Sequence, residues 1–202
     1  MSDVEAGGRS GGEAPQARGG EGVRPVVESR RTLLAHPRMR VDEALLRFPS
    51  GATQRYVYRP RGKDVVSVVA LTERGTLLLV RQYRFPVDDW TIELPAGSVE
   101  PGETPEEAAE RELLEETGHR ASHWARLGTV WQSPAASDLR HHYFLARGCR
   151  PHAPVKADEL EAVECVEWTE EELRRALAGE RPLSMQVHAG LALYWLRLGR
   201  LR

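Results

Sequence analysis

The sequence has little cysteine, no long apolar run and almost no excess of either charge. Its two cysteines, Cys149 and Cys165, lack the spacing of a disulfide framework or a zinc knuckle. The longest apolar stretches, 65–71 and 77–80, are far shorter than the roughly 20 residues that cross a bilayer. The N-terminus carries no apolar signal-peptide core. We therefore expect a protein of the reducing cytoplasm that does not insert into a membrane.

The charge balance argues against a partner that is a large polyanion. Twenty-eight Lys and Arg stand against 30 Asp and Glu, which leaves a formal net charge of −2. Such a chain has no electrostatic basis for coating nucleic acid or an anionic membrane surface. Any polyphosphate ligand must instead be bound by a local site.

Composition divides the 202 residues into three parts. Residues 1–22 are rich in glycine and polar residues, which predicts a disordered tail. The pattern of residues 23–60 predicts short antiparallel strands. Residues 61–202 predict one domain of strands with a few helices. The fold class is therefore α+β or a mixed-sheet α/β sandwich. In this domain the pattern predicts strands at 65–71, 76–83, 90–94, 125–131, 142–146 and 162–168, and helices at 104–117, 170–177 and 185–198.

One predicted helix is strongly acidic. Thr104 and Glu107 form a capping-box pattern at its start, and Gly118 supplies the stop signal at its end. Glu112 and Glu116 stand one turn apart and so share a face. Magnesium takes oxygen ligands and accepts one or two carboxylates together with phosphate oxygens and water. The helix is therefore a candidate metal site, and the alternative is an ordinary solvated surface.

The segment from Gly97 to Gly118 resembles the Nudix box, which is a glycine, five residues, a glutamate, seven residues and then Arg-Glu-apolar-any-Glu-Glu-any-Gly. Only the following aliphatic position departs, because His119 stands there. The resemblance implies a Nudix fold, an α/β/α sandwich with a mixed central sheet, and hydrolysis of a nucleoside diphosphate derivative with Mg²⁺ or Mn²⁺. It implies metal ligands at Glu112, Glu115 and Glu116, with Glu115 and Arg111 also taking part in catalysis.

The flanking sequence is similar to the ADP-ribose and ADP-sugar pyrophosphatase branch of that family. The shared features are the run 81–84 (Arg-Gln-Tyr-Arg), the run 93–97 (Glu-Leu-Pro-Ala-Gly), and Pro134, sixteen residues after Gly118. The resemblance implies cleavage of ADP-ribose or an ADP-sugar to AMP and a sugar phosphate, with the backbone carbonyl of Ala96 as a further metal ligand. It implies that the substrate is bound by Arg81, Arg84, Glu93, Gly97 and Pro134.

The same branch places its general base on a late acidic loop, which here spans residues 158–164. The pattern favours Glu161, with Glu159 as the reserve. Glu164 should lie on a strand beside Val163 and is expected to be structural. If none of these is the base, Asp138 or a glutamate of the box is the next candidate.

In this branch the N-terminal strands cross to the other subunit of a homodimer and help to sandwich the adenine. Residues 23–60 have a suitable length and strand content for that role. Two alternatives remain open for function. One is a Nudix hydrolase of another nucleoside diphosphate derivative, and the other is a non-catalytic Nudix-fold sensor of ADP-ribose.

Overall fold

A computed structural model describes residues 24–37, 39–60, 62–156, 163–179 and 182–200. The predicted tail, 1–22, lies outside the described residues. The elements in chain order are β1 (Val26–His36), β2 (Met39–Arg47), β3 (Thr53–Tyr58), β4 (Val65–Thr72), β5 (Leu77–Arg84), β6 (Asp89–Glu93), β7 (Ala96–Ser98), α1 (Pro105–Thr117), β8 (His119–Arg120), β9 (His123–Trp131), β10 (Arg140–Pro151), β11 (Val163–Trp168), α2 (Glu170–Ala178) and α3 (Met185–Arg197).

The larger of two sheets is mixed, as predicted. Its strand order is β11-β5-β4-β10-β8, with β6 paired to β5, β7 to β4 and β9 to β10. Strands β4 and β10 run parallel, whereas β4 and β5 form the antiparallel hairpin that the turn at 73–75 predicts. The parallel pair requires a crossover, and β7, α1 and β9 lie within that connection.

Helices cover both faces of this sheet. Successive side chains of β4 point to opposite faces, and those on each face are apolar and pack against helices. Val66, Val68 and Ala70 pack with Leu113 of α1 in one buried cluster. Val69 and Leu71 point the other way and pack with α2 and α3 residues in a second cluster. The α+β class with an α/β/α sandwich is thereby confirmed.

Helix α1 begins and ends where its sequence signals predict. The Thr104 hydroxyl accepts from the Glu107 backbone N–H, and the Glu107 side chain accepts in return from the Thr104 backbone N–H. The first four N–H groups of a helix have no partner within it, so this reciprocal cap satisfies two exposed donors. The helix stops at Gly118, whose φ is +72°. Both ends of the acidic helix are therefore well defined.

The smaller sheet is an antiparallel meander of β1, β2 and β3. It meets the main domain at the loop 134–137, where the Arg59 N–H donates to the Ala136 carbonyl at 2.8 Å and the Tyr56 hydroxyl donates to the Ala135 carbonyl. Strand β1 is one continuous strand with two register shifts. It is continuous because its polar residues 29–31 pair with β2 as its apolar residues do.

Three strands of the larger sheet differ from the sequence prediction: β10, β7 and the two-residue β8, which was not predicted. Strand β10 extends beyond 142–146 to Arg140–Pro151, because β4 lies on one side and β9 and β8 pair with it on the other. Strand β7 was not expected, since Ala96–Ser98 is short and contains only small residues. Among the described residues, no helix is long and apolar enough to cross a membrane.

Candidate functional site

A cleft of about 1040 Å³ opens where β5, β6 and β7 meet the start of α3 and one face of α1. Acidic, basic and amide side chains line its wall together with aromatic and apolar ones. The charged and polar members of the lining are Gln82, Arg84, Glu93, Ser98, Glu100, Glu112, Glu116, Gln132, His141, Ser184 and Gln186. The candidate metal helix therefore faces a cavity large enough for a nucleotide-sized ligand.

Glu112 reaches the cleft because Gly97 has no side chain. A Cβ built on Gly97 would lie 1.9 Å from Glu112 Oε1, so any larger residue would displace the carboxylate. Burial raises the pKa of Glu112, while its hydrogen bond from Arg111 acts in the opposite direction. The box glycine and the first box glutamate thus form one packed unit.

Glu116 lies one turn further along α1 and deeper in the wall. Its Oε2 accepts a 2.8 Å hydrogen bond from the backbone N–H of Ala96. Desolvation, with added repulsion from Glu112 and Glu93, raises the pKa of Glu116 to about 8. Two carboxylates share this wall, and a cation there would offset their mutual repulsion.

Arg111 joins the ends of the box. Its Nε and Nη2 donate to the two carboxylate oxygens of Glu103 at 2.9 and 3.0 Å, and its Nη1 donates to Glu112 at 2.7 Å. A further bond runs from Nη2 to the Ser98 carbonyl at 3.0 Å. The guanidinium therefore orients the Glu112 carboxylate and connects the β7 loop to α1.

Glu115 is turned away from these two glutamates. It accepts from Lys156 Nζ at 2.7 Å and lies 3.3 Å from Arg111 Nη1. The hydrogen bond from Lys156 contributes most to lowering its pKa. The structure thus brings Glu112 and Glu116 to the cleft and leaves Glu115 at its edge, beside two cationic side chains.

The donor set suits a hard divalent cation. Among the residues in the described ranges, no three His, Cys, Asp or Glu side chains already form a metal cage. Two acidic side chains nevertheless meet the requirement of Mg²⁺, which keeps several waters and takes phosphate oxygens from its substrate. Glu112, Glu116 and the neighbouring Ala96 backbone therefore fit such an ion, and the raised pKa of Glu116 is what a cation would reverse.

Arg84 and Glu93 form a fixed pair in the part of the cleft that β5 and β6 line. Arg84 donates from Nε and Nη2 to the two Glu93 oxygens at 2.7 and 2.8 Å. Burial would raise the pKa of Glu93, but the hydrogen bonds from Arg84 and Thr91 outweigh it and the pKa is lowered. The Arg84 side chain remains 44% exposed, so the guanidinium is both oriented and accessible.

Arg81 is not part of the cleft wall. Side chains alternate along β5, so Gln82 and Arg84 face the cleft and Arg81 faces the other side. There its guanidinium lies 4.3 Å from the centroid of the Trp90 ring and 3.0 Å from Glu164. The two arginines, three residues apart, therefore lie on opposite faces of the sheet.

Pro134 lines a second cavity, of about 380 Å³, between the smaller sheet and the 134–138 loop. Tyr56, Tyr58 and Trp131 contribute aromatic walls, and Asp138 lies at the same place. Trp131 borders both this cavity and the cleft. The position of Pro134 thus relates to the second cavity and not to the metal helix.

Several cleft residues were missed by the sequence analysis, among them His141 and Gln186. His141 is buried. Its burial, and to a smaller extent the charge of the nearby His142, lowers its pKa to about 4. His142 points away, toward Thr129 and Asp64, as alternation on β10 requires. Gln186 follows the N-cap of α3 and showed no local motif, so only the packing of α3 on the sheet brings it to the cleft.

The favoured base, Glu161, and its reserve, Glu159, lie in 157–162, outside the described residues. The flanking residues are described. Before the gap, Lys156 contacts Glu115 through its backbone N–H at 2.9 Å and through its Nζ. After it, Val163 pairs with Gln82, and Glu164 lies on β11, as expected for a structural residue.

Comparison with known proteins matches this geometry to a family. The model of the NUDIX domain matches residues 62–186. An ADP-ribose pyrophosphatase of Bacillus subtilis is 37% identical over 127 residues, which are 62% of this chain and 68% of that protein. An ADP-ribose pyrophosphatase of Mycobacterium tuberculosis is 35% identical over 137 residues, 66% of each chain.

A solved structure supports the fold. The crystal structure of an ADP compounds hydrolase superposes with a TM-score of 0.78 and 23% sequence identity, covering 88% of this chain and 97% of the other. The matched segment 62–186 contains the acidic helix, the glycine that Glu112 packs against and the Arg84–Glu93 pair. On these grounds the chain belongs to the Nudix family.

Proposed function

We propose that the protein is a metal-dependent hydrolase that cleaves the diphosphate of ADP-ribose, or of a related ADP-sugar, to AMP and a sugar phosphate. The observation that carries the proposal is one cleft that is lined by two partly buried carboxylates of α1 and by an oriented, accessible arginine. A diphosphate needs both: a cation site and a fixed positive group. The ADP-ribose pyrophosphatases of B. subtilis and M. tuberculosis support the same substrate class.

Glu112, Glu116 and the Ala96 carbonyl would hold the cation, and Glu115, which accepts hydrogen bonds from Lys156 and Arg111 in this structure, would join them by turning toward the cleft. When bound, Mg²⁺ or Mn²⁺ supplies charge neutralisation at the diphosphate and orients the attacking water. Arg111 keeps Glu112 in its orientation and stays protonated there, since its bonds to Glu103 and Glu112 raise its pKa. Arg84 binds a diphosphate oxygen from across the cleft, and the Gly97 backbone lines the path between them.

Glu161 is the proposed general base. The box carboxylates that hold cations lose basicity, so the proton of the attacking water needs another acceptor. The described residues on either side of 157–162 lie near the site: the Lys156 N–H donates to the Glu115 carbonyl, and Val163 pairs with Gln82, whose side chain lines the cleft. The chain on both sides of Glu161 therefore lies next to proposed site residues, which supports a base on this segment.

The second cavity is the proposed site for the adenine ring. Its walls are mainly apolar and include the aromatic side chains of Tyr56, Tyr58 and Trp131. Aromatic walls suit a planar base, which they can contact by stacking. Because Trp131 also borders the cleft, a substrate could place its base in one cavity and its diphosphate in the other.

Product analysis tests this function. Purified protein is incubated with ADP-ribose, other ADP-sugars, dinucleotides and coenzyme A, each with Mg²⁺ and separately with Mn²⁺. We expect AMP and ribose 5-phosphate from ADP-ribose, and no turnover in EDTA. Faster cleavage of a dinucleotide or coenzyme A would indicate another Nudix specificity. Binding of ADP-ribose without cleavage would indicate a sensor.

We also infer a homodimer formed through the smaller sheet. All eleven residues of β1 are exposed, and the apolar side chains of Leu33 and Leu34 are 47% and 43% exposed. An isolated small sheet with uncovered apolar side chains gains stability from a partner surface. The cytoplasm is the proposed location, because Cys149 and Cys165 are both unpaired thiols.

Light scattering tests the dimer. We expect twice the 22.6 kDa chain mass at micromolar concentration. The double variant Leu33→Asp/Leu34→Asp should be monomeric, because it places two charges on the exposed apolar part of β1. Leu198→Asp, at an equally exposed leucine beyond α3, should remain dimeric. A wild-type monomer that retains full activity would contradict the inference.

A further inference from the structure

A buried chain of hydrogen bonds joins the first turn of α3 to the arginine of the cleft. Gln186 Nε2 donates to Glu93 Oε2 at 2.5 Å, and that carboxylate holds Arg84 through two bonds. Thr91 Oγ1 donates to the other Glu93 oxygen at 2.6 Å. The Glu93 side chain is only 8% exposed, and both of its oxygens are bound by groups of this chain.

The orientation of the Gln186 amide follows from its two neighbours. Glu93 is an ionised acceptor, so the NH₂ group must face it and the carbonyl oxygen must face away. That oxygen accepts from the Ser67 hydroxyl at 2.8 Å, and Ser67 Oγ in turn lies 2.8 Å from His141 Nε2. Ser67 and His141 are both buried. The amide therefore has one favourable orientation, enforced from β4 and β10.

The depth of α3 depends on Gly190, one turn after Gln186 on the same face. A Cβ built on Gly190 would lie 2.5 Å from Leu94 Cδ1 and 3.2 Å from Tyr143 Cδ1. The missing side chain lets the helix lie close against β6 and β10. Since hydrogen bonds weaken steeply with distance, this close approach brings Gln186 within reach of Glu93.

We propose that Gln186 is a positioning residue that, through Glu93, holds the Arg84 guanidinium in place for a substrate phosphate. This inference rests on the proposed function. Arginine has a long side chain with large rotamer entropy, and ordering it before the ligand arrives removes that cost from binding. Glu93 thereby acts on Arg84 rather than on the substrate, and the first turn of α3 contributes to the orientation of that arginine.

The first test needs no substrate. In ¹⁵N spectra the Nε–H signal of Arg84 is assigned by its loss in Arg84→Lys. We expect Gln186→Met to shift this signal and to speed its exchange with water by at least about threefold, since Glu93 becomes less restrained. Ser67→Ala, a smaller change, should move it in the same direction. His188→Ala, on the exposed side of the same helix, should leave it unchanged.

The second test uses ADP-ribose hydrolysis in a double-mutant cycle. We expect Gln186→Met to raise KM about tenfold with kcat within about twofold, the pattern of lost phosphate binding. In an Arg84→Ala background the same substitution should change kcat/KM by less than about twofold, because its effect passes through the missing guanidinium. If Gln186 had a merely structural role, its substitution would lower kcat/KM by the same factor in the wild-type and Arg84→Ala backgrounds.

Two results would overturn the proposal: an unchanged Arg84 signal in both Gln186→Met and Ser67→Ala, or an equal loss of activity in the presence and absence of Arg84. A wild-type protein that leaves ADP-ribose intact would refute the proposed function alone. In that case the exchange rates would still decide whether Gln186 restrains Arg84.

Discussion

Replacing Glu116 with glutamine is expected to lower the turnover of ADP-ribose by about 10²-fold or more at saturating Mg²⁺. The substitution keeps the size of the side chain and removes one of the two carboxylates that share the cleft wall. The measurement is kcat by product assay, with a Mn²⁺ titration to follow metal affinity. Glu110→Gln, on the exposed side of α1, is the matched control and should retain wild-type turnover. Unchanged turnover in Glu116→Gln would show that the acidic face is ordinary solvated surface.

The melting temperature of Glu116→Gln should also depend on pH differently from that of the wild type. The reason is that the pKa of Glu116 is raised to about 8 in the metal-free fold. A carboxyl whose folded pKa is raised contributes stability fully at low pH and loses it as pH rises through the folded value. Glutamine has no such titration. In EDTA we therefore expect equal melting temperatures near pH 4, below the ordinary pKa of glutamate, and a variant that melts several degrees above wild type near pH 9, at roughly 2–4 °C for each kcal/mol in a domain of this size.

Replacing Glu161 with glutamine is expected to lower single-turnover hydrolysis of ADP-ribose by 10²–10⁴-fold, the range typical of a lost general base. Metal affinity should stay nearly unchanged, because a base on the late segment does not hold the cation. Single-turnover rates and Mn²⁺ titrations of the variant measure the two effects separately.

Glu159→Gln and Glu164→Gln are the matched controls for this base, and each should change the rate by less than about tenfold. Glu164 pairs with Arg81 on the face of β5 away from the cleft, which supports a structural role. If only Glu159→Gln loses the activity, Glu159 is the general base in place of Glu161. If all three variants remain active, the base lies elsewhere. Asp138 is then a weaker candidate than a box glutamate, since it lines the second cavity.

Local signals were sufficient for much of the fold. The limits of α1 follow from a reciprocal cap at Thr104 and a stop at Gly118, both of which act within a few residues of the helix ends. The period of the apolar residues likewise predicted the hairpin of β4 and β5. The shared face of Glu112 and Glu116 needs only helical geometry, so the sequence alone placed them on one wall.

The rest of the site required contacts between distant parts of the chain. Alternation on β5 gives Arg81 and Arg84 opposite faces, but only the position of α1 and α3 against the sheet decides which face is the cleft. Gln186 carries no local motif, and its role depends on Gly190 letting α3 approach Leu94. The sequence by itself determined the helix, its carboxylates and the family, because those signals are local. Only the tertiary structure decided which arginine meets the cleft and what holds it, because hydrogen bonds between residues up to 119 positions apart depend on how the layers pack.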